Sequence, residues 1–341
     1  MGEITRIGVD TSKACFTLHG VDGAGQVVLR RELGRGAFWK FFEKQAPVEI
    51  VLEACGGSHH WGRELSALGH RVRLLPPQYV KPFVRRGKND RNDAEAICVA
   101  AAQPSIRSVP VKSAEAQAGA VLLSVRELLV RQRTQLVNAL RGHAAEFGLI
   151  AAQGDKGLAE LRAGIAEAEG TRLPIAAQQA LIVLGAEIDR LATRLAEIEA
   201  NLVRAQKADP DTRRLATLPG IGPIGAATFA ARVDPTQFRS GRHFAAWLGL
   251  VPRQNSTGGK TRLGGISRAG DERLRQLLVL GATAVIRHAK PGRPAASPWL
   301  LEPLKRKPRK LAAVALANKM ARILWAMMTR REAYRLPPAT A

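Results

Sequence analysis

The fold is organised around one stretch of the sequence, Lys88-Asn89-Asp90-Arg91-Asn92-Asp93-Ala94-Glu95-Ala96. This stretch opens an apolar, alanine-rich segment that is typical of a helix, and it sets Asp90 and Asp93 three residues apart. Side chains with that spacing lie on the same face of a helix. The stretch therefore predicts a helix whose first turn presents two carboxylates on one face.

Two earlier segments each end an apolar, strand-like run with one acid, in Ile7-Gly8-Val9-Asp10 and in Ile50-Val51-Leu52-Glu53. With the two helix acids, they make a candidate site of four carboxylates. Such a group is self-repelling unless cations neutralise it, and Mg²⁺ prefers hard oxygen ligands. Two ions about 4 Å apart can hold the attacking and leaving oxygens of a phosphodiester. The acids therefore predict a divalent-metal site that acts on nucleic acid.

Each of these acids also has a purely structural explanation. Asp10 and Glu53 can end strands, while Asp90 can cap a helix and Asp93 can complement its dipole. For one acid alone the structural explanation is the stronger one. Four acids together in a basic protein favour the metal site.

The composition indicates a soluble globular protein with a polyanionic partner. The 341 residues suffice for two or three domains, and 46% of them are hydrophobic. Lys and Arg number 52 against 29 Asp and Glu, which gives a net charge of +23. An excess of this size points to DNA or RNA, with a membrane surface as the alternative polyanion.

Targeting signals and cysteine usage predict a cytoplasmic protein without a membrane span. No basic-then-apolar signal precedes the strand-like segment that starts at residue 4. The most apolar segment, residues 311–328, is interrupted by Asn318, Lys319 and Arg322, so it predicts an amphipathic helix. The three cysteines lack metal-ligand spacing, and we expect reduced thiols at Cys15, Cys55 and Cys98.

The N-terminal third predicts a mixed sheet with helices on its faces. Strands are expected at residues 5–18, 27–33, 48–54 and 71–75, and helices at 38–44 and 60–68. In this pattern Asp10 lies inside the first strand.

Two long helices follow, each with apolar residues at heptad spacing. Residues 113–147 carry the seam Leu122, Val125, Leu129, Gln132, Leu136 and Ala139. The helix after Pro174 carries the seam Leu181, Leu184, Ile188, Leu191, Leu195, Ile198 and Leu202. The two seams can pack as a hairpin within one chain or between protomers, and the sequence does not choose.

The segment Leu218-Pro219-Gly220-Ile221-Gly222-Pro223 predicts a tight turn between two helices. It resembles helix-hairpin-helix DNA-binding modules, in which backbone N–H groups of the turn and the next helix receive a phosphate. Gly220 and Gly222 are therefore candidate nucleic-acid-binding residues. A plain helical turn is the alternative.

Further along, residues 244–250 predict a helix that ends at a glycine before the polar cluster Gln254-Asn255-Ser256-Thr257-Gly258-Gly259. The cations Lys260, Arg262 and Arg268 follow and suit a phosphate. Ser256 is a candidate nucleophile, although a serine beside two glycines is far more often a turn residue.

The end of the chain predicts two helices, at residues 271–288 and 311–331, with a short basic run between them. The run contains Lys305, Arg306 and Lys307 and predicts either a solvated surface or a contact to the phosphate backbone.

The acid-bearing strands and helix of residues 1–105 resemble ribonuclease-H-like nucleases and resolvases of the RuvC type. Sugar kinases and actin-like ATPases open with a similar Gly-x-Asp strand, but their phosphate and adenosine loops are not found here. The order of all motifs, over residues 4–330, resembles the DEDD-type insertion-sequence transposases of the IS110 family, which include the Piv-type DNA invertases. Asp10, Glu53, Asp90 and Asp93 fall on the metal ligands of that family, and Ser256 falls on its catalytic serine.

The resemblance implies an α/β ribonuclease-H-like domain at residues 1–108, a helical coiled-coil spacer at 109–208, and a mainly α-helical domain at 209–341 with the hairpin and the serine. It implies a transposase that binds two Mg²⁺, or Mn²⁺ in their place, and forms a covalent phosphoserine with DNA. Its partners would be the element ends, target DNA, a non-coding bridge RNA, and copies of itself in a dimer or tetramer.

Three other functions fit parts of the sequence. A site-specific DNA invertase would use the same residues. A RuvC-like, Mg²⁺-dependent junction resolvase or nuclease would use water as the nucleophile and leave Ser256 structural. A non-catalytic architectural protein would need only the charge, the hairpin and the basic run.

Overall fold

The structure is a computed structural model that describes residues 2–85, 89–168, 173–289 and 298–335, so Lys88 of the opening stretch lies outside the described residues. The chain forms two compact units, Met1–Ala118 and Gly119–Ala341. Each unit is described by itself. The division into three domains at residues 108 and 208 remains a prediction.

The first unit is built on a five-stranded sheet in the order β3-β2-β1-β4-β5. The strands are β1 (Arg6–Thr11), β2 (Cys15–Val21), β3 (Val27–Gly34), β4 (Glu49–Glu53) and β5 (Arg71–Leu75). β1, β2 and β3 pair antiparallel, whereas β4 is parallel to both β1 and β5. The predicted mixed sheet is confirmed, and its order is compatible with a ribonuclease-H-like domain.

The predicted single strand at residues 5–18 is wrong, because a tight turn divides it into β1 and β2. Ser12 forms this turn locally: its hydroxyl donates to the carbonyl of Cys15 (2.5 Å) and accepts from the amide of Cys15 (3.0 Å). Hydrogen bonds of this kind let a short polar segment reverse the chain without a glycine or proline.

Four helices cover the two faces of the sheet: α1 (Arg35–Lys44), α2 (Ser58–Ala67), α3 (Pro77–Val80) and α4 (Asp90–Ala101). Ile7 and Val9 of β1 pack with Phe38 of α1 and Trp61 of α2. Val51 of β4 packs on the other face, against the apolar side of α4. Because side chains alternate along a strand, Asp10 and Glu53 share the α4 face with Gly8 and Val51.

Helix α4 lies unusually close to β1, at Gly8. A Cβ atom at this glycine would lie 2.5 Å from the carbonyl oxygen of Ala94 and 2.8 Å from the amide nitrogen of Cys98. Backbone atoms cannot move aside as a flexible side chain can. Only a residue without a side chain therefore allows this packing. The N-cap Asn89 accepts from the amide of Asn92 and fixes where the helix begins.

Helices make up most of the described chain after residue 113, which confirms the predicted helical C-terminal region. They are α5 (Ala114–Ala145), α6 (Asp155–Ala166), α7 (Ile175–Ala208), α8 (Pro210–Leu215), α9 (Pro223–Arg232), α10 (Gly241–Trp247), α11 (Glu272–His288), α12 (Pro298–Arg306) and α13 (Arg309–Arg330). A two-stranded hairpin, β6 (Pro252–Gln254) and β7 (Leu263–Ile266), lies between α10 and α11.

The two long helices meet within the chain over part of their length. Leu140 of α5, Leu161 of α6 and Leu181 of α7 belong to one core. Arg126 of α5 also pairs with Glu199 of α7. The seam of α7 is buried or half-buried throughout, whereas Val125 of the α5 seam is 40% exposed. Packing within the chain therefore covers the α7 seam, with α6, α8 and α9 also in contact with α7, and leaves part of the α5 seam uncovered.

Helix α13 is long and apolar enough to be a membrane-span candidate by length and composition. Its inner face, which includes Ala317, Ala321 and Leu324, is buried in the core formed with α9, α10 and α11. The side chain of Asn318 donates to the carbonyl of Leu250 (3.1 Å), and the Lys319 ammonium lies over the ring of Trp299 (4.1 Å). These contacts make α13 a core helix of the second unit, as its interrupting polar residues predict.

We expect Gly8→Ala to lower the free energy of unfolding of the first unit by about 1–3 kcal/mol or more, because the added methyl group would push α4 away from β1. Thermal denaturation followed by circular dichroism measures this loss. Gly36→Ala in α1 is the matched control, since nothing lies within 4 Å of its Cβ position. Equal stability of the two variants would show that the close approach at Gly8 does not matter.

Candidate active site

Three of the predicted acids come together where β1 meets the start of α4. Asp10 lies near the end of β1, while Asp90 and Asp93 lie in the first turn of α4. One carboxylate oxygen from each of the three lies within 4.8 Å of the others. The strand and the helix turn thus combine acids that are about 80 residues apart in sequence.

Glu53 ends β4, the parallel neighbour of β1, and is half-buried on the same face. It is not a member of the 4.8 Å group. Burial and the charge of Asp93 both raise the pKa of Glu53, and Glu53 in turn raises the pKa of Asp10. Glu53 therefore stands at the border of the cluster and is electrostatically coupled to it.

The electrostatic effect of the cluster is evident in the pKa of Asp10. Burial and the charges of Asp93, Asp90 and Glu53 raise the pKa of Asp10 from 3.8 to about 6. A hydrogen bond from the backbone of Thr11 lowers this pKa, but its effect is smaller. In the described part of the chain, none of the four acids forms an ion pair with Lys, Arg or His. The cluster therefore holds negative charge that no described side chain neutralises.

A nearby glutamate shows how the same sheet treats an acid that is purely structural. Glu49 of β4 is 6% exposed and accepts from Arg6 (2.5 Å), Arg71 (2.9 Å) and Arg73 (3.2 Å). Burial raises the pKa of Glu49, but these arginines outweigh burial and lower the pKa overall. Sequence reasoning missed this network, whose only sequence signal is the recurrence of arginine in β1 and β5.

The donor set suits a hard divalent cation. Three carboxylates within one ion's reach supply hard oxygen ligands, and a bound cation would remove the repulsion that raises the pKa of Asp10. Asp10, Asp90 and Asp93 are the residues that would hold such an ion, with Glu53 beside them.

Ser256 lies in the second unit, in the exposed loop between β6 and β7. Its hydroxyl oxygen accepts from the side-chain amide of Gln254 (3.1 Å) and from the backbone N–H of Arg262 (3.3 Å). Both contacts use the oxygen as an acceptor, so they fix its position and leave its own proton to be donated. Sequence reasoning did not identify Gln254 as a positioning residue.

The predicted hairpin turn lies between α8 and α9. Gly220 has a positive φ of 87°, and a Cβ there would lie 2.7 Å from the carbonyl oxygen of Gly281 in α11. Gly222 is exposed, forms the N-cap of α9, and has open space around its Cβ position. The structure therefore gives Gly220 a packing role and leaves Gly222 accessible at a helix N-terminus.

The predicted phosphate-binding cations all lie on the surface of the second unit. Lys260, Arg262 and Arg268 follow Ser256 in the hairpin and in the loop after β7. Arg268 adopts a left-handed φ of 57°, and its amide donates to the carbonyl of Gly249. Lys305 and Arg306 end α12, with Lys307 next to them, and Lys305 pairs with Glu302 (2.9 Å).

Comparisons with known proteins agree over nearly the whole chain. A family model described as a transposase of the DEDD IS110 type matches residues 7–147, and one described as the IS116/IS110/IS902 transposase family matches residues 212–296. A putative transposase of Sinorhizobium fredii is 51% identical over 98% of this chain and 86% of its own length. A probable family 20 transposase of Pseudomonas aeruginosa is 48% identical over 97% and 99% of the two chains. The transposase for insertion sequence element IS1111A of Coxiella burnetii is 40% identical over 98% and 92%.

We expect Asp10→Asn to raise the melting temperature in EDTA at pH 7.5. The folded protein holds the Asp10 proton with a pKa of about 6, above the ordinary aspartate value of 3.8. The stability of the wild type therefore falls as the pH rises between these two pKa values, whereas the stability of the variant does not show this decrease. Differential scanning calorimetry at pH 4–8 measures both slopes.

Mg²⁺ should reverse the order of these two proteins, because only the wild type regains stability when a cation neutralises the cluster. The exposed Glu43 of α1 supplies the control, and Glu43→Gln should follow the wild type in both buffers. An Asp10→Asn protein that Mg²⁺ stabilises as strongly as the wild type would count against the metal site.

We expect Gly220→Ala to destabilise the second unit by about 1–3 kcal/mol, because the new methyl group meets backbone and the residue keeps a positive φ. Gly222→Ala should leave the free energy of unfolding within about 0.5 kcal/mol of the wild type. Urea unfolding measures both. If Gly222→Ala also keeps full affinity for duplex DNA, the phosphate role of this N-terminus is wrong.

Proposed function

Because the chain belongs to the IS110 family of transposases, we propose that it cuts and rejoins DNA at the ends of an insertion sequence and at its target with two sets of residues. Asp10, Glu53, Asp90 and Asp93 would bind two Mg²⁺, and Ser256 would be the nucleophile. The observation that carries this proposal is the cluster of three carboxylates within 4.8 Å, without a described cationic partner, at the place where the family pattern predicts it.

The chemistry we propose is phosphodiester transesterification. The Ser256 oxygen attacks phosphorus, a new O–P bond forms, and the P–O bond to the leaving sugar breaks. The serine proton passes to solvent, and the leaving sugar oxygen takes up a proton. Rejoining reverses these steps, with a sugar hydroxyl as the attacking group. When bound, Mg²⁺ supplies positive charge to the phosphate and to the leaving oxygen.

The protein's own residues would prepare this reaction in two ways. Gln254 and the Arg262 amide hold the serine oxygen in place, so the side chain loses less rotational freedom when it attacks phosphorus. The exposed cations Lys260, Arg262 and Arg268 bind the DNA backbone beside it, and Lys305, Arg306 and Lys307 extend this binding. A net charge of +23 supports backbone binding over a large surface.

The proposed partners are DNA, further copies of the chain and a bridge RNA in the cytoplasm. The exposed apolar residues of α5, with Val121 51% and Leu128 46% exposed, support a helical coiled-coil contact between protomers in a dimer or tetramer. The ribonuclease-H-like and helix-hairpin-helix assignments, and the guidance by RNA, rest on the family likeness. A site-specific invertase would use the same chemistry on a different arrangement of sites.

We expect Ser256→Ala to abolish covalent protein–DNA adducts and to lower strand exchange at least about 1,000-fold, because no other group replaces the nucleophile. Denaturing gel electrophoresis of reactions with labelled element ends measures the adducts. Thr257→Ala removes a neighbouring hydroxyl and should leave the adducts unchanged.

Asp93→Asn should separate binding from chemistry. It should stop Mg²⁺-dependent cleavage and leave the affinity for element ends within about threefold, since phosphate contacts come from other residues. Free DNA ends without adducts in the wild type would instead support a nuclease that uses water. Full strand exchange by Ser256→Ala would remove the serine from the mechanism.

A further inference from the structure

A second feature of the first unit lies beside the acid cluster and has no role in the chemistry above. It is a cavity of about 600 Å³ between α4 and the outer strands β2 and β3. Four arginines line it, namely Arg30, Arg31, Arg85 and Arg91. We call this cavity the arginine pocket. Its volume falls within the range of about 300–1,000 Å³ that is typical of small-ligand sites.

The floor of the pocket comes from β2. Phe16 and Leu18 face the α1 and α2 side of the sheet, so Thr17 and His19 face the α4 side. Both floor residues are nearly buried, at 6% and 5% exposure. Their cross-strand partners on β3 are Glu32 and Arg30, which therefore rise on the same face.

The charge of the pocket is positive and only partly compensated. Arg91 pairs with Glu32 (2.9 Å), and Arg85 pairs with Glu95 (3.0 Å). Arg30 is exposed and forms no ion pair in the described part of the chain. An incoming phosphate would find one unpaired guanidinium there, and a second in Arg91, whose ion pair is exposed and easily exchanged.

The pocket continues toward the acid cluster. A neighbouring cavity of about 540 Å³ shares Thr17, Glu32, Asn89 and Arg91 with it and also reaches Asp90. The residues that line the two cavities therefore extend from Arg30 to Asp90 of the candidate metal site.

We propose that the arginine pocket binds one unpaired nucleotide of the DNA strand that is being cut, with its phosphate on Arg30 and Arg91 and its base over His19. The identification of the ligand as DNA rests on the proposed function. The shape and charge of the pocket do not depend on that function. A concave site with a nearly buried floor suits a base turned out of the helix, whereas the smooth backbone of a duplex would contact only the rim.

The state of His19 supports this assignment. Burial lowers its pKa, and of its charged neighbours Glu95 raises the pKa while Arg30 and Arg85 lower it. The ring is therefore neutral near pH 7, with one nitrogen as donor and the other as acceptor. A neutral ring can hydrogen-bond to the edge of a base without adding another charge.

Photo-cross-linking tests the proposal with the full-length protein in EDTA, so that no cleavage chemistry is needed. The probe is a labelled oligodeoxynucleotide of about 12 residues with one 5-iododeoxyuridine, used single-stranded or fully paired. Mass spectrometry should locate the cross-link in the peptides that contain residues 15–32, and only the unpaired probe should give it in high yield. Cross-links only in other parts of the chain, or equal yields from the paired probe, would overturn the pocket.

Arg30→Ala should lower the yield of this cross-link about tenfold, the effect of losing one charge-assisted hydrogen bond. It should also make the slope of the logarithm of the binding constant against the logarithm of the salt concentration shallower by about 0.7. Lys40→Ala, an equal loss of charge on exposed α1 at the opposite face of the sheet, should change neither value. Equal effects of the two variants would mean that the pocket contributes only general charge.

The test separates this proposal from the function on which it rests. Ser256→Ala should retain the cross-link, since its hydroxyl is not part of the pocket. If serine–DNA adducts form and the cross-link is absent, the pocket proposal fails and the proposed function stands. If the cross-link forms in the pocket and no adduct is ever detected, the proposed function fails instead.

Discussion

The packing of α4 on β1 at Gly8 is the constraint on which the acid cluster depends. The absent side chain lets backbone meet backbone, with the Cβ position only 2.5 Å from the carbonyl oxygen of Ala94. Asp10 is two residues further along the strand, and Asp93 is one residue before Ala94 on the helix. The same contact that joins the two elements thus determines the separation of their carboxylates. Any residue with a side chain at position 8 would separate the elements and the acids together.

This arrangement opposes stability in the absence of a cation. Two full charges 4.8 Å apart repel each other by about 3 kcal/mol at an effective dielectric constant near 20, and by less where solvent screens the exposed Asp90. Burial and that repulsion together raise the pKa of Asp10. Glu49, on the same face of the same sheet, has three arginines instead. Among the described residues, arginines therefore neutralise the acid that supports the fold, whereas no Lys, Arg or His pairs with the acid cluster.

The sequence predicted those features that depend on local pattern. Asp90 and Asp93 share a helix turn because of their spacing, and Asp10 lies in a strand because of its apolar neighbours, as predicted. The turn at Ser12 was missed, because a side-chain hydrogen bond forms it without a glycine or proline signal. The arginine network around Glu49, the contact of Gly220 with Gly281, and the position of Glu53 outside the closest group all depend on packing between distant segments. No local pattern carries that information.

The acid cluster and the arginine pocket carry opposite and complementary charges. A group of carboxylates repels the phosphate that the proposed reaction would cut, so a DNA strand would need positive charge close by before and after cations bind. Bound cations would supply that charge at the scissile phosphate, but they cannot hold the flanking nucleotide in register. The exposed Arg30 lines the arginine pocket, and Arg91, whose ion pair is exchangeable, lines both this pocket and the cavity that reaches Asp90. An anion-binding surface fixed to the same sheet and helix turn as the acids would keep the flanking nucleotide at a constant distance from the reacting phosphate, whichever sequence is being cut.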